Sequence, residues 1–247
     1  MNTIMKSASA TAVKGKQPSL DDLLQQALSG LKRRSSKAVR DSMVRFNIPT
    51  EHALGVRMSD IQALAKQLGR DHELAEALWQ TGIYEARMLC AYVDEPERVT
   101  SAQMDRWCRD FDNWAVCDTL CFALFDRTSQ AWKKAEQWAK KNVEFQKRAG
   151  FALFWCLSVH DKTATDAQFL IGLHDIEAAA TDPRHFVKKA VNMALRAIGK
   201  RNKSLNAEAI AVATRLALSP DATAKWIGKD ALREIAGAAV KKRLSTK

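Results

Sequence analysis

The chain is divided into short segments of helical apolar periodicity, and this pattern limits its possible folds more than any other feature. Apolar residues recur every three to four positions within each segment, and about two to six residues separate most neighbouring segments. Few glycines (10) and prolines (5) interrupt them, and no segment alternates as a strand does. The pattern predicts an all-α chain of about thirteen helices, over residues 18–33, 36–46, 58–68, 71–80, 83–93, 101–110, 113–126, 129–140, 143–159, 165–178, 183–200, 205–218 and 220–240.

Residue types at the segment ends support these boundaries. Residues with side chains suited to an N-cap stand at or near the start of five segments, and three glycines stand near segment ends, where a left-handed backbone is favoured. The N-cap candidates are Ser59, Asp71, Ser101, Asn113 and Asp221, and the glycines are Gly69, Gly82 and Gly199. Short links between capped helices predict antiparallel neighbours.

Two architectures fit a series of short antiparallel helices. A curved helical-repeat solenoid accounts for many short helices with brief links, whereas a globular bundle favours fewer and longer ones. We expect the solenoid, as one domain over residues 18–247 with a concave face. Residues 1–17 lack periodicity and acidic residues, and we expect them to form a flexible basic arm.

The positive charge is concentrated towards the C-terminus. The chain has 39 basic and 28 acidic residues, and residues 184–247 alone contain 15 basic and 4 acidic ones. This asymmetry favours a polyanionic partner, because neutralising phosphates releases counterions. Nucleic acid is the expected partner, and anionic lipid is the alternative. No apolar run approaches the roughly 18 residues of a membrane span, so we expect no membrane insertion and a cytoplasmic location.

The five cysteines do not suggest a metal site or a disulfide framework. Cys117 and Cys121 are four residues apart, but no further cysteine or histidine stands nearby at ligand spacing. We therefore expect both to be buried core residues. Motifs for nucleotide phosphates, dinucleotides, zinc or a serine nucleophile are also missing, so the sequence predicts neither a cofactor nor a metal.

Trp114 and Asp118 form one candidate site. They lie four residues apart near the start of a predicted helix, so their side chains project from the same side, one turn from each other. An indole beside a carboxylate can pack on a sugar and stabilise a cation. Alternatively, Trp114 is a residue at the edge of the core, and Asp118 is a first-turn carboxylate stabilised by the helix dipole.

Basic residues near two later helices form a second group of candidates. Lys147 and Arg148 lie in the first turns of a helix, where a cation opposes the helix dipole, which favours a phosphate or carboxylate partner for Arg148. Lys188, Lys189 and Arg201 belong to a dense basic segment that follows Pro183. Each is a candidate phosphate ligand, and a solvated helix face is the alternative.

Three segments resemble the AlkD-like DNA alkylation repair family, and the likeness extends over roughly residues 20–240. They are the run N-W-A-V-C-D-T-L-C around Trp114 and Asp118, the run K-R-A-G-F-A-L-F at Arg148, and the run F-V-K-K-A-V-N-M-A-L-R-A-I-G-K-R-N over residues 186–202. The family consists of all-helical proteins built of HEAT-like repeats. It excises positively charged N3- and N7-alkylpurines from DNA.

The resemblance implies specific roles. Duplex DNA would bind in a concave basic groove without rotation of the lesion into a pocket. Trp114 would pack on the deoxyribose of the lesion, Asp118 would stabilise the charge that develops at the anomeric carbon and orient water, and Arg148 would hold a backbone phosphate. The basic segments add the other expected DNA contacts, which are Lys147, Lys188, Lys189 and Arg201, together with Met193. The expected protein is a monomeric, monofunctional glycosylase that needs no cofactor and works in the cytoplasm, associated with the nucleoid.

Met193 departs from the family pattern. The family usually has a second tryptophan at this position, facing the same sugar. Methionine retains apolar volume but lacks the flat indole face that stabilises a cation. The expected function is therefore excision with a weakened site, and the alternative is a HEAT-like protein that binds DNA without excising bases.

Overall fold

The structure is a computed structural model that describes residues 18–246, and this part of the chain is helical. It contains fourteen α-helices, two 3-10 turns and no strand over residues 18–246. The expected basic arm, residues 1–17, lies outside the described residues. The helices are α1 (Leu20–Arg33), α2 (Lys37–Met43), α3 (Met58–Leu68), α4 (His72–Gln80), α5 (Tyr84–Val93), α6 (Ser101–Arg109), α7 (Trp114–Ala123), α8 (Ala131–Ala139), α9 (Glu144–His160), α10 (Asp166–Ala179), α11 (His185–Ile198), α12 (Lys203–Leu218), α13 (Ala222–Ile235) and α14 (Ala238–Ser245).

The predicted all-α class is confirmed, and the main difference lies at the C-terminal end. The single helix expected over 220–240 is two helices, because the extended backbone of Gly237 (φ −71°, ψ 156°) interrupts it and starts α14. The segments expected over 36–46 and 113–126 end in the 3-10 turns Val44–Phe46 and Phe125–Arg127.

Three of the five expected N-caps are confirmed, whereas Ser59 lies inside α3, whose N-cap position is Arg57. Asp71, Asn113 and Asp221 each accept bonds from the first turn of the helix that follows. Ser101 instead lies inside α6, whose cap is Thr100. Gly199 ends α11 with a right-handed backbone (φ −63°), so it does not have the left-handed conformation expected.

The helices pack in two layers that follow the order of the chain. In the odd layer, α3, α5, α7, α9, α11 and α13 each pack against the next member. In the even layer, α8 packs on α10 and α10 on α12, while stacked Trp79 and Trp107 join α4 to α6. Pairs such as α8 with α9 and α12 with α13 connect the two layers. This arrangement is that of a helical-repeat protein, in which each unit contacts mainly its neighbours.

Hydrogen bonds that involve side chains also connect neighbouring helical units. Asp105 accepts bonds from Lys134 (2.5 Å) and from the indole of Trp138 (2.9 Å), 29 and 33 residues away. Glu85, fully buried, accepts from the backbone N–H groups of the loop that leads into α3. These bonds satisfy buried polar groups, and they connect α6 to α8 and α5 to the loop before α3.

One close helix contact depends on a glycine. A Cβ on Gly150 of α9 would lie 2.2 Å from the backbone nitrogen of Ala139 in α8. Glycine therefore allows α8 and α9 to approach closely and positions the first turns of α9, which carry Arg148. No helix in the described part of the chain is long and apolar enough to span a membrane.

Candidate nucleic-acid interface

A small cleft lies at the N-terminal ends of three neighbouring helices of the odd layer, α7, α9 and α11. Its volume is about 270 Å³. The 3-10 turn after α2 completes its wall. The lining residues are Arg45, Phe46, Asn47, Trp114, Arg148, His185, Phe186 and Lys189. The cleft thus brings together Trp114, Arg148 and Lys189 from the three helices.

Asp118 and Arg148 form a forked ion pair beside this cleft. The Arg148 Nε donates to Asp118 Oδ1 at 2.9 Å, and Nη2 donates to Oδ2 at 2.6 Å. The third nitrogen, Nη1, donates to the carbonyl of Phe186 at 2.8 Å, which connects the pair to α11. The Asp118 side chain remains 15% exposed, against 6% for Arg148. The carboxylate is therefore fixed in position and still reachable from solvent.

Burial and the ion pair act on Asp118 in opposite directions. Burial raises the pKa of Asp118 above its ordinary value of 3.8, while the charge and hydrogen bonds of Arg148 lower it. Burial lowers the pKa of Arg148, but Asp118 outweighs this effect and raises it overall. Burial is the larger effect, so the pKa of Asp118 is raised overall, and the Arg148 guanidinium favours the ionised form against it.

A hydrogen bond from its indole N–H orients Trp114. Its indole Nε1 donates to the carbonyl of Phe46 at 2.8 Å, a contact between residues 68 positions apart. Asn113 caps α7 immediately before it and fixes the direction of the first turn. Phe46 itself is 59% exposed on the 3-10 turn. The indole is partly buried, and its position is set by the core below it and by the turn beside it.

Lys147 and Arg201 have partners within the protein. The Lys147 ammonium lies 3.1 Å from a carboxylate oxygen of Asp182, which Arg184 also contacts. Arg184 and Lys147 lower the pKa of Asp182 well below its usual range. Arg201 donates to the carbonyls of Ser158, Asp161 and Ala164 at the end of α9, and it lies over the ring of Phe169. Neither cation lines the cleft.

Lys188 and Lys189 are arranged differently. Both ammonium groups lie 4.9 Å from the ring centroid of Trp226, on α13. Within residues 18–246, neither has a carboxylate partner within 4.0 Å. Met193 lies one turn beyond Lys189 on α11, half-buried and packed against the core, and it does not line the cleft.

Several residues of this surface had not been predicted from the sequence. Phe186 lies within the segment that resembles the family and could have been found there. Phe46 and Trp226 come from segments with no distinctive pattern, and only the fold brings them to the other residues. Cys117 and Cys121 are buried, as expected. The described residues contain no group of three or more His, Cys, Asp or Glu side chains placed to hold a metal ion.

The layered helices and the cleft across three of them define a helical-repeat protein with a candidate site on one layer. The model of the DNA alkylation repair enzyme family matches residues 27–235, and the chain belongs to this family. No curated protein matches it in sequence.

Two solved structures share the fold. One represents a family related to the HEAT-like repeat DNA glycosylases with affinity for branched DNA structures, with a TM-score of 0.72, 18% identity, and coverage of 85% of this chain and 94% of that chain. The other is smu.31 from Streptococcus mutans UA159, with a TM-score of 0.53, 17% identity, and coverage of 85% of this chain and 97% of that chain. The expected HEAT-like repeat fold is therefore confirmed.

Proposed function

We propose that this protein binds alkylated duplex DNA and excises cationic N3- and N7-alkylpurines by hydrolysis of the N-glycosidic bond. The observation that carries the proposal is the Asp118 carboxylate, held by two hydrogen bonds from Arg148 beside the cleft that contains Trp114. The direct test is release of 7-methylguanine and 3-methyladenine from methylated duplex DNA, resolved by chromatography.

The chemistry requires little beyond a fixed negative charge. An alkylated purine already carries positive charge, so it leaves as a neutral base without a strong general acid. Positive charge then develops on the deoxyribose, and an ionised Asp118 stabilises it and orients the attacking water. Trp114 supplies the apolar surface on which the sugar packs.

Arg148 acts in this proposal mainly as a positioning residue. Three of its nitrogens already donate to Asp118 and to the Phe186 carbonyl, so a backbone phosphate would have to share the guanidinium with them. Lys188 and Lys189, which have no carboxylate partner in the described chain, are better phosphate ligands. Lys147 and Arg201 contribute long-range positive charge, since their nearest contacts are internal.

The size of the cleft supports excision without base flipping. Pockets that enclose small ligands typically measure about 300–1,000 Å³, and the cleft measures about 270 Å³. The cleft is smaller than most such pockets, and we propose that the lesion stays stacked in the duplex. One chain supplies all the residues that line the cleft, so a second copy is not needed to complete it, and we propose a monomer. We also propose that it acts in the cytoplasm, associated with the nucleoid.

The excision rate should depend on pH through Asp118. The active form is the ionised one, and burial raises the pKa of this group above 3.8. As pH falls through this raised pKa, Asp118 gains a proton and excision is lost, so we expect the acid limb of the single-turnover rate to lie above pH 3.8. The Arg148→Gln variant should move that limb to higher pH, because the guanidinium no longer favours the ionised form. A limb that does not move would show that Arg148 does not control the ionisation of Asp118.

Met193→Trp should raise excision more than it raises affinity for undamaged DNA. An indole gains most when positive charge develops on the deoxyribose, whereas packing in the ground state gains little over methionine. A gain of about 1 kcal/mol corresponds to roughly a fivefold rate increase. Single-turnover release by the folded variant measures it. An unchanged or lower rate would mean that position 193 does not face the lesion.

A second candidate function is DNA binding without excision. Met193 in place of the usual tryptophan favours it, and so does the structural likeness to proteins with affinity for branched DNA structures. This function predicts tight binding to a four-way junction, and no base release from methylated duplex above the rate of spontaneous loss. Competition between junction and duplex, measured beside base release, separates the two functions.

A further inference from the structure

Two lysines and a tryptophan form a patch next to the cleft. The ammonium groups of Lys188 and Lys189 both lie 4.9 Å from the ring centroid of Trp226. The lysines lie in the first turns of α11, and the indole belongs to α13, which packs directly against α11. We call these three residues the lysine–tryptophan patch.

The electrostatics of the patch favour an anion. Cations near a helix N-terminus oppose the helix dipole, and the first turn of α11 contains no acidic residue to offset them. Two carboxylates of this region, one on α13 and one in the loop before α11, have other partners. Asp230 of α13 binds Asn192 and Arg196, and Asp182 binds Lys147 and Arg184. The face of one indole compensates two ammonium charges only weakly.

The patch is continuous with the cleft. Lys189 lines the cleft together with Trp114 and Arg148, and the same ammonium lies over Trp226. The contact surface therefore runs along the odd layer from α7 through α9 and α11 to α13. A DNA strand bound at the cleft would meet the patch with a neighbouring nucleotide.

We propose that Trp226 is a further DNA-binding residue, which packs against the deoxyribose of a nucleotide flanking the lesion while Lys188 and Lys189 bind its phosphate. This inference rests on the proposed function, because it assigns part of the same DNA surface. It adds a partly exposed indole from the helix beyond the one that carries Met193. A sugar on the indole and a phosphate between the ammonium groups would satisfy both parts of the patch.

Salt dependence separates this role from a merely structural one. Packing of a sugar on an indole involves no counterion release, so its loss lowers affinity without changing the slope of log K against log salt. That slope is negative, and loss of a phosphate contact lowers its magnitude by about one unit. If Trp226 only held the lysines in position, its removal would lower both the affinity and the magnitude of the slope.

The experiment measures binding of a short undamaged duplex over a range of salt concentrations. We expect Trp226→Leu to weaken binding about five- to tenfold at every salt concentration, with an unchanged slope, and Trp226→Phe to recover most of the affinity. Lys188→Gln and Lys189→Gln should each lower the magnitude of the slope by about one unit. Lys133→Gln, the matched loss of an exposed charge on α8, should lower it far less.

The assignment would be overturned if Trp226→Leu left the affinity unchanged, or if the magnitude of the salt slope fell in this variant. If the leucine variant does not fold, Trp226→Phe gives the test, because quenching of indole emission by DNA should be smaller in this variant than in the parent. Equal quenching would overturn the assignment as well. Base release by the parent tests the proposed function separately, so excision without any effect of Trp226 on binding would refute the patch alone.

Discussion

Replacing Asp118 by asparagine should slow the release of cationic alkylpurines by about a hundred- to a thousandfold, while affinity for undamaged duplex stays close to that of the parent. The amide retains the shape of the side chain and one acceptor for Arg148, but it removes the charge next to the developing sugar cation. Loss of one such electrostatic interaction commonly costs about 3 to 4 kcal/mol of transition-state stabilisation. Single-turnover release from methylated duplex measures the effect.

The control for this variant is another carboxylate of the same region. Asp112 is exposed and lies just before α7, and Asp112→Asn removes the same charge without touching Arg148. We expect its excision rate to stay within about twofold of the parent, as for a surface charge in water. Equal rates for Asp118→Asn and the parent would show that Asp118 only stabilises its helix and its ion pair.

Among substitutions at the candidate site, replacing Arg148 by methionine should lower the free energy of unfolding the most. The substitution leaves the Asp118 carboxylate buried without its partner, and breaking a buried pair in this way typically costs about 3–5 kcal/mol of unfolding free energy. The loss should shrink as pH falls, because Asp118 then takes up a proton and the buried charge disappears. Urea unfolding at several pH values measures both effects.

Two comparisons make the stability prediction specific. Arg215 and Glu177 form an equally short forked pair (2.7 Å for both bonds) that is exposed, so Arg215→Met should cost less than about 1 kcal/mol. The double variant Asp118→Asn with Arg148→Met removes both charges and should be more stable than Arg148→Met alone. Equal costs for Arg148→Met and Arg215→Met would contradict the account of the buried pair.

Local sequence patterns predicted the structural features that depend on residues close together in the chain. Helical periodicity identified the helices, and the spacing of Trp114 and Asp118 placed both on one helix. The break at Gly237 was missed because the apolar period continues through it, and only the backbone of this residue shows the boundary.

Contacts between distant residues could not be read from spacing. Asp118 and Arg148 were each identified as site residues, but their pairing across 30 positions depends on how α7 and α9 pack. The internal partners of Arg201 lie 37 to 43 residues away, in the last turn of α9 and the loop that follows it, and no sequence pattern connects them to Arg201. A basic residue on a helix gives the same sequence signal whether it binds a phosphate or a carbonyl group.

Base release from methylated duplex DNA is the most direct test of the central claim. The parent protein and Asp118→Asn are incubated with the same DNA, and free 7-methylguanine and 3-methyladenine are resolved by chromatography. Excision predicts release of the cationic alkylpurines by the parent above spontaneous loss, and a deep decrease in the variant. Duplex binding by the parent with release no faster than in buffer would contradict it and leave DNA binding as the function.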